Sequence, residues 1–188
     1  MVLITFMEII KLAIISLVIG FIFQGFYSPR IKTVFDRLHP KKFNLEDFKF
    51  STLIVAPAIV LHELAHKFVA MGYGFSATFE LFPFGLILGT FLKLIGSPFL
   101  IIAPGYVKIG ELALANPLAY RLIAFAGPAV NLILWLGALF LLKSNKKWTR
   151  TQFAALKLTK TLNMWLFFFN MIPFGPLDGA KVFFGPPI

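Results

Sequence analysis

The stretch IVLHELAHKFVA, Ile59–Ala70, places two histidines and a glutamate inside an otherwise apolar segment. His62 and His66 are four residues apart, so on a helix that turns about 100° per residue they lie on one face, one turn apart. Two imidazoles in that arrangement can bind the same metal ion, and Glu63 is placed to reach a water molecule on that ion. The pattern therefore predicts a metal site with an acid/base beside it.

The alternative for the same stretch is a pair of hydrogen-bonded core histidines, because this spacing also arises by chance in soluble proteins. The surrounding sequence argues against it, since the stretch belongs to a strongly apolar block of about residues 50–72. Ionisable groups are costly within a membrane and indicate function by default. The metal site is therefore the favoured interpretation.

The composition is that of an integral membrane protein. Of 188 residues, 59% are hydrophobic and 24 are Phe, and the mean hydropathy is +0.84, well above an ordinary soluble domain. The net charge of +10 comes mostly from residues that flank the apolar blocks, which favours anionic lipid headgroups over nucleic acid as the counter-charge. The chain has no cysteine, which excludes disulfides and thiolate metal ligands.

Four apolar blocks predict an α-helical, multi-pass protein of the cell membrane, with about four transmembrane helices in a single domain of residues 1–188. The predicted spans are about 1–26, 50–72, 118–142 and 161–180. The first block lacks a basic n-region and a small-x-small cleavage site, so it is interpreted as a retained span. Glu8 and Lys11 within it either pair on one face or mark the membrane interface, and the interface is favoured.

Residues 73–117 are apolar but interrupted by glycines and prolines, a pattern that favours short strands and turns over one helix. Unpaired backbone groups cannot face lipid, so this segment is expected to lie at the interface or to re-enter the membrane packed against protein. The predicted fold class therefore includes a short membrane-associated β-rich segment, about 73–110.

A catalytic zinc site needs a third protein ligand. The remaining histidine, His39, lies in a polar connection, and after Glu111 the only acidic residue is Asp178, in NMIPFGPLDGAKVF. Asp178 either caps a short helix at the membrane edge or binds the metal. Taken together with His62 and His66, it is favoured as the ligand.

The two motifs together resemble a known family. HELAH in one apolar segment and NMIPFGPLDG in a later one are similar to the two signatures of the site-2 protease family, the intramembrane zinc metalloproteases. The resemblance implies that one zinc ion per chain is bound by His62, His66 and Asp178, and that Glu63 is the catalytic acid/base. Asn170 matches a family asparagine that helps to hold the active site or the substrate.

Other parts of the chain resemble the family less specifically. FAGPAVN, Phe125–Asn131, is similar to the small-residue and asparagine pattern of the intervening span, and Asn131 either supports the active site or makes one interhelical hydrogen bond. The segment after Tyr73 resembles the family's membrane-associated sheet, which could present an extended substrate by strand addition. Gly179 is followed by Ala180 where many relatives have a second glycine. The chain has no PDZ domain, which indicates a minimal member or a shortened chain.

The resemblance predicts a zinc-dependent endopeptidase that cleaves transmembrane protein substrates, as in regulated intramembrane proteolysis. The alternatives are a metal-ion transporter or channel with the His/Asp cluster as a transit site, and an inactive scaffold. A transporter needs polar residues along several helices, and the spans offer few; the intact Glu63 argues against a scaffold. The expected partners are a transmembrane substrate and the lipid bilayer, without nucleic acid.

The orientation in the membrane stays open. The loops after the first and third predicted spans are rich in Lys and Arg, which predicts that they are cytoplasmic. The family generally opens its site towards the cytosol, which implies the reverse orientation. The sequence does not indicate the substrate, its regulator or the oligomeric state.

Overall fold

The computed structural model describes residues 3–26, 43–97 and 104–186. Within these ranges the chain forms mainly helices and one two-stranded sheet, which confirms the predicted fold class. His39 and most of the first polar connection lie outside the described residues. In chain order the elements are α1 (Phe6–Phe23), α2 (Leu45–Gly72), β1 (Ala77–Leu81), α3 (Pro83–Leu94), β2 (Gly105–Ile109), a 3-10 turn (Glu111–Ala115), α4 (Pro117–Lys143), α5 (Arg150–Asn170) and α6 (Asp178–Phe184).

Three of the described helices, α1, α2 and α4, are long and apolar enough to cross a membrane. They have 18, 28 and 27 residues and correspond to the first three predicted spans. Helix α2 begins at Leu45 because the Asn44 side chain accepts hydrogen bonds from the first free backbone N–H groups, those of Glu46 and Asp47. The histidine pair therefore lies in the second half of a long helix, far from its capped end.

The fourth predicted span, about 161–180, is divided in the structure. Helix α5 ends at Asn170 and α6 begins at Asp178. Pro173 and Pro176 lie between them, and proline lacks the backbone N–H that would continue a helix. Helix α5 also carries basic residues in its first half and is not among the candidate spans within the described residues.

The segment 73–117 contains the expected strands and also a helix that was not predicted. Strands β1 and β2 are antiparallel, with Phe79 opposite Val107. Helix α3 lies between them in sequence, with Pro83 in its first turn, where no N–H is needed. Gly85 and Gly89, which suggested turns, are instead buried on one face of α3, where small residues allow close packing.

The core lies where α1, α2 and the sheet meet. Ile15 and Ile19 of α1, Val55 of α2 and Phe79 of β1 are fully buried there. Helix α4 packs against α2, α5 and α6 on the other side. Helix α2 is therefore shared by both halves of the molecule, and its histidines face α4.

Glu8 and Lys11 do not pair with each other, so that interpretation is wrong, and their position at the membrane interface stays a prediction. Glu8 is buried and contacts Lys67 of α2, whereas Lys11 contacts Glu80 of β1. The sequence could not indicate these partners, because they lie 59 and 69 residues away along the chain.

Candidate metal centre

Three predicted ligands, distant in sequence, meet at one point. His66 Nε2 lies 3.1 Å from His62 Nε2 and 3.1 Å from Asp178 Oδ2, and His62 Nε2 lies 3.2 Å from the same carboxylate oxygen. The three atoms form a nearly equilateral triangle, which we call the ligand triangle. All three residues are buried, with 6–8% of their surface exposed.

Hydrogen bonds fix the tautomer of both histidines. His62 Nδ1 lies 2.6 Å from Asn131 Oδ1, and His66 Nδ1 lies 2.7 Å from the carbonyl oxygen of Ile123. Both oxygens only accept hydrogen bonds, so each Nδ1 carries the proton and donates it. In the neutral imidazole Nε2 then bears a lone pair. Both lone pairs belong to the ligand triangle.

The ligand triangle is suited to a cation. Two lone pairs and a carboxylate oxygen face one another, and the alternative of a hydrogen-bonded histidine pair would require a buried imidazolium, because each Nδ1 already donates. Tetrahedral zinc with bonds of about 2.0–2.1 Å holds its ligand atoms about 3.3 Å apart. The observed separations of 3.1–3.2 Å are close to that value, and the donors are the nitrogen and oxygen atoms that zinc accepts. The residues present therefore fit a zinc ion.

Asp178 is the first residue of α6, outside the three candidate spans. Burial raises the pKa of its carboxyl group, but the contacts with His62 and His66 lower it by more, so the pKa lies well below its ordinary value. Leu177 occupies the N-cap position without a side-chain hydrogen bond, so Asp178 does not act as the helix cap. An ionised carboxylate is the form that binds a metal.

Two glycines allow the surrounding helices to approach the site. A Cβ atom added at Gly127 of α4 would lie 2.3 Å from His66 Nε2 and 2.7 Å from His62 Nε2. A Cβ atom at Gly179 of α6 would lie 2.4 Å from the carbonyl carbon of Met171. The first glycine lets α4 lie directly against both imidazole rings, and the second lets α6 bring Asp178 close to the end of α5.

Asn131 links three helices at the metal centre. Its side chain is fully buried and accepts the proton of His62 Nδ1. Its amide nitrogen donates to Asn163 Oδ1 of α5 at 2.8 Å and to the carbonyl oxygen of Ala58 at 3.3 Å. Asn131 therefore makes more than the single interhelical hydrogen bond that was one of its two predicted roles. Asn163 was missed, although an amide within an apolar helix is a recognisable signal of interhelical bonding.

The two other predicted residues make fewer contacts. Glu63 follows His62 on α2 and is 8% exposed; among the described residues no side chain or backbone group hydrogen-bonds to its carboxylate. Asn170 donates to the carbonyl oxygen of Leu166 in its own helix at 3.0 Å. Within residues 43–97 and 104–186 no hydrogen bond joins Asn170 to the ligand triangle. Its role stays a prediction.

The fold and the ligand triangle together define an α-helical membrane protein with a buried metal centre. The chain is 35% identical over 176 residues to a Methanocaldococcus jannaschii protein named "Putative zinc metalloprotease MJ0611", across 93% of this chain and 82% of the relative. The chain therefore belongs to this zinc metalloprotease family.

A more distant relative carries the same kind of name. The chain is 29% identical over 172 residues to the Bacillus subtilis protein "Putative zinc metalloprotease YwhC", across 78% of this chain and 72% of the relative. No family model and no solved structure matches the chain. The family and the donor set both indicate zinc as the metal.

Proposed function

We propose that this protein is an intramembrane zinc endopeptidase of the site-2 protease type, which cleaves transmembrane protein substrates. One observation carries the proposal. Three ligand atoms lie 3.1–3.2 Å apart, and two of them belong to a helix that is long and apolar enough to cross a membrane. A soluble metalloprotease has no need to place its metal on such a helix. Membership of a zinc metalloprotease family supports hydrolysis as the reaction.

Each residue has a distinct role in this proposal. His62, His66 and Asp178 hold the zinc ion. When bound, zinc polarises the scissile carbonyl group and lowers the pKa of a water molecule. Glu63 accepts a proton from the attacking water and returns it to the leaving amine. Its position one residue after His62 puts it on the same helix as two of the ligands.

Asn131 is proposed as a positioning residue for His62. By accepting the Nδ1 proton at 2.6 Å, it keeps the lone pair on Nε2 and holds the orientation of the ring. Its own amide is held in turn by Asn163 and Ala58. Such partners of metal-binding histidines affect metal affinity and activity by about 10- to 100-fold.

The membrane setting suggests the class of substrate. The metal helix α2 and its neighbour α4 are both candidate spans, and many large apolar side chains on the outside of the molecule are exposed. We propose a multi-pass protein of the cell membrane in which the scissile bond belongs to a membrane-embedded segment. That segment has to be locally extended, since a helical backbone hides its peptide bonds from attack.

The alternative function is a metal transporter or channel. Transit of an ion requires successive polar sites, whereas one group of potential ligands is found in the described part of the chain. The nearby buried amides, Asn131 and Asn163, are engaged with His62 and with each other. These observations favour the protease.

Replacing Glu63 with Gln distinguishes the two functions. The purified variant and wild type are reconstituted in lipid vesicles with a probe protein that has one apolar span of about 20 residues interrupted by Gly–Pro. We expect about one zinc per chain in both proteins and a cleavage rate about 100- to 10,000-fold lower in the variant. Glu46→Gln, in the exposed first turn of the same helix, is the control and should cleave normally.

Two results would overturn parts of this proposal. Full cleavage by the Glu63→Gln variant would remove Glu63 from the mechanism. A wild-type protein that moves zinc across the vesicle membrane but cleaves nothing would replace the protease with the transporter.

A further inference from the structure

A second group of buried charges lies next to the metal centre along α2. Lys67 follows His66 directly, and its ammonium group contacts the carboxylate of Glu8 in α1. Both side chains are only 2% exposed. Burying two charges is costly unless they are paired and their remaining hydrogen-bonding positions are filled. None of the proposed catalytic steps uses this pair.

Glu8 also holds the first strand of the sheet. The backbone N–H of Phe79 donates to Glu8 Oε1 at 2.8 Å. The other carboxylate oxygen accepts hydrogen bonds from the Thr5 backbone at 2.8 Å and the Thr5 hydroxyl at 3.0 Å. One buried carboxylate therefore joins α1, the metal helix α2 and strand β1.

Lys11, one turn further along α1, completes the attachment. Its ammonium group donates to the carbonyl oxygen of Phe79 at 3.3 Å and to Glu80 Oε2 at 2.5 Å. Both backbone polar groups of Phe79 are thus bound by side chains of α1. We call the three residues Glu8, Lys11 and Lys67 the α1 clamp.

The register shows which edge of the sheet the α1 clamp occupies. The backbone groups of Ser76 and Phe82 hydrogen-bond to the opposite strand segment. Successive residues of a strand direct their backbone groups to opposite edges, and Phe79 is three residues from both. The N–H and C=O groups of Phe79 therefore point away from β2. This outer edge of β1 is closed at Phe79. Its counterpart on β2 is centred on Val107, which lies opposite Phe79. The described residues provide no side-chain partner for the outward backbone groups of Val107.

We propose that the α1 clamp positions the sheet relative to the metal centre: Glu8, Lys11 and Lys67 fix β1 to the metal helix, so that a substrate strand added to the sheet, as the family resemblance implies, is held in register with the ligand triangle. The inference rests on the proposed function, because the position of the sheet affects cleavage only if the sheet holds the substrate of that protease. The three residues are positioning residues, since none of them contacts the ligand triangle. Two adjacent residues of α2 thus have separate roles: His66 holds the metal, and Lys67 helps to hold the sheet.

The double variant Glu8→Met/Lys67→Met tests this role. Apolar side chains of similar length in place of a buried ion pair are often neutral for stability, while the Phe79 N–H loses its acceptor. We expect unchanged zinc content, amide hydrogen exchange of residues 77–81 about tenfold faster or more, and a several-fold higher KM for the single-span probe protein with kcat little changed. Unchanged exchange and KM in a folded double variant would overturn the proposal.

Lys11→Met provides a second test if the double variant fails to fold. This change leaves the buried pair intact and removes only the bond to the Phe79 carbonyl and the contact with Glu80. Faster exchange in β1 and a raised KM are again expected, and normal values for both would refute the clamp. Ser16→Ala is the control on the same helix, because the Ser16 hydroxyl donates only to Leu12 within α1, at 2.7 Å.

The experiment separates failure of the clamp from failure of the proposed function. If wild type does not cleave the probe, the protease proposal fails, and exchange in residues 77–81 still reports whether the clamp holds β1. If wild type cleaves and the variants exchange as wild type does, the protease stands and the clamp is overturned. Faster exchange with an unchanged KM contradicts the assignment of substrate to this sheet.

Discussion

His66 and Lys67 are neighbours on one buried helix, yet their surroundings are opposite in kind. At His66 two imidazole lone pairs and a carboxylate oxygen face one another at 3.1–3.2 Å, and each imidazole proton is used on the far side of its ring. At Lys67 an ammonium group meets a carboxylate whose other positions accept backbone and hydroxyl protons.

The difference shows how a buried charge can be assigned to function or to architecture. Together with Glu80, the partner of Lys11, the α1 clamp is neutral as a whole, and its hydrogen bonds are made within the protein. The ligand triangle brings together three electron-pair donors, so it is complete only with a cation. Burial within a membrane helix indicates that an ionisable residue matters, and its partners show what it does.

Removing a member of the ligand triangle should have the largest effect on activity. In His66→Ala one of three ligands is lost, so we expect cleavage to fall to background and zinc to be lost on dialysis. The fold should persist, because α2 keeps its packing against α1, α4 and α5. Elemental analysis and cleavage of the single-span probe check this, and a variant with full zinc and normal cleavage would show that the triangle is not the site.

Removing a single member of the α1 clamp should instead act on stability. Lys67→Met leaves the Glu8 carboxylate buried without its cation, and breaking a buried pair costs about 3–5 kcal/mol. Denaturant unfolding in detergent measures the loss, with Glu8→Met/Lys67→Met as the matched control that restores most of it. Equal stability of all three proteins would show that the pair contributes nothing to the fold.

Gly127→Ala tests how closely α4 confines the ligand triangle. The new methyl group would fall 2.3 Å from His66 Nε2, so the rings have to move. Overpacking costs about 1–3 kcal/mol. If this cost falls on the zinc-binding arrangement of the rings, the zinc affinity becomes about 5- to 150-fold weaker. Competition with a fluorescent zinc chelator measures the affinity. Gly137→Ala on the same helix, where a Cβ meets no atom within 4 Å, should bind zinc as wild type does.

Asn131→Leu tests the support of His62 and should weaken zinc binding to a similar extent as Gly127→Ala. Without the acceptor 2.6 Å from Nδ1, the ring can rotate or change tautomer, and we expect zinc affinity about 10- to 100-fold weaker. Asn131→Asp keeps an acceptor for His62 and should recover part of the loss. If Leu and Asp variants bind zinc equally well, the hydrogen bond does not orient the ligand.

The members of the ligand triangle could be named from the sequence because their signals do not depend on tertiary packing. Four-residue spacing on a helix brings His62 and His66 together whatever the rest of the chain does. Asp178 could be named because acidic residues are so few in the second half of the chain. Three of the four predicted spans were equally accessible, since apolar length indicates whether a helix can cross a membrane.

The remaining contacts depend on tertiary packing. The Ile123 carbonyl that fixes His66 is a backbone group, and its use depends on how α4 packs against α2. Glu8 and Lys67 are 59 residues apart, and their pairing follows from the packing of α1. Helix α3 was missed because its glycines serve packing, and sequence patterns alone do not separate a packing glycine from a turn glycine.

The most direct measurement of the central claim is zinc X-ray absorption on the purified protein, compared between wild type and Asp178→Ala. The account predicts one zinc per wild-type chain, with two imidazole nitrogens and a carboxylate oxygen at about 2.0–2.2 Å, and loss of the carboxylate contribution in the variant when it is loaded with zinc and measured without dialysis. An identical zinc spectrum in both proteins, or an ion without imidazole ligands, would contradict it.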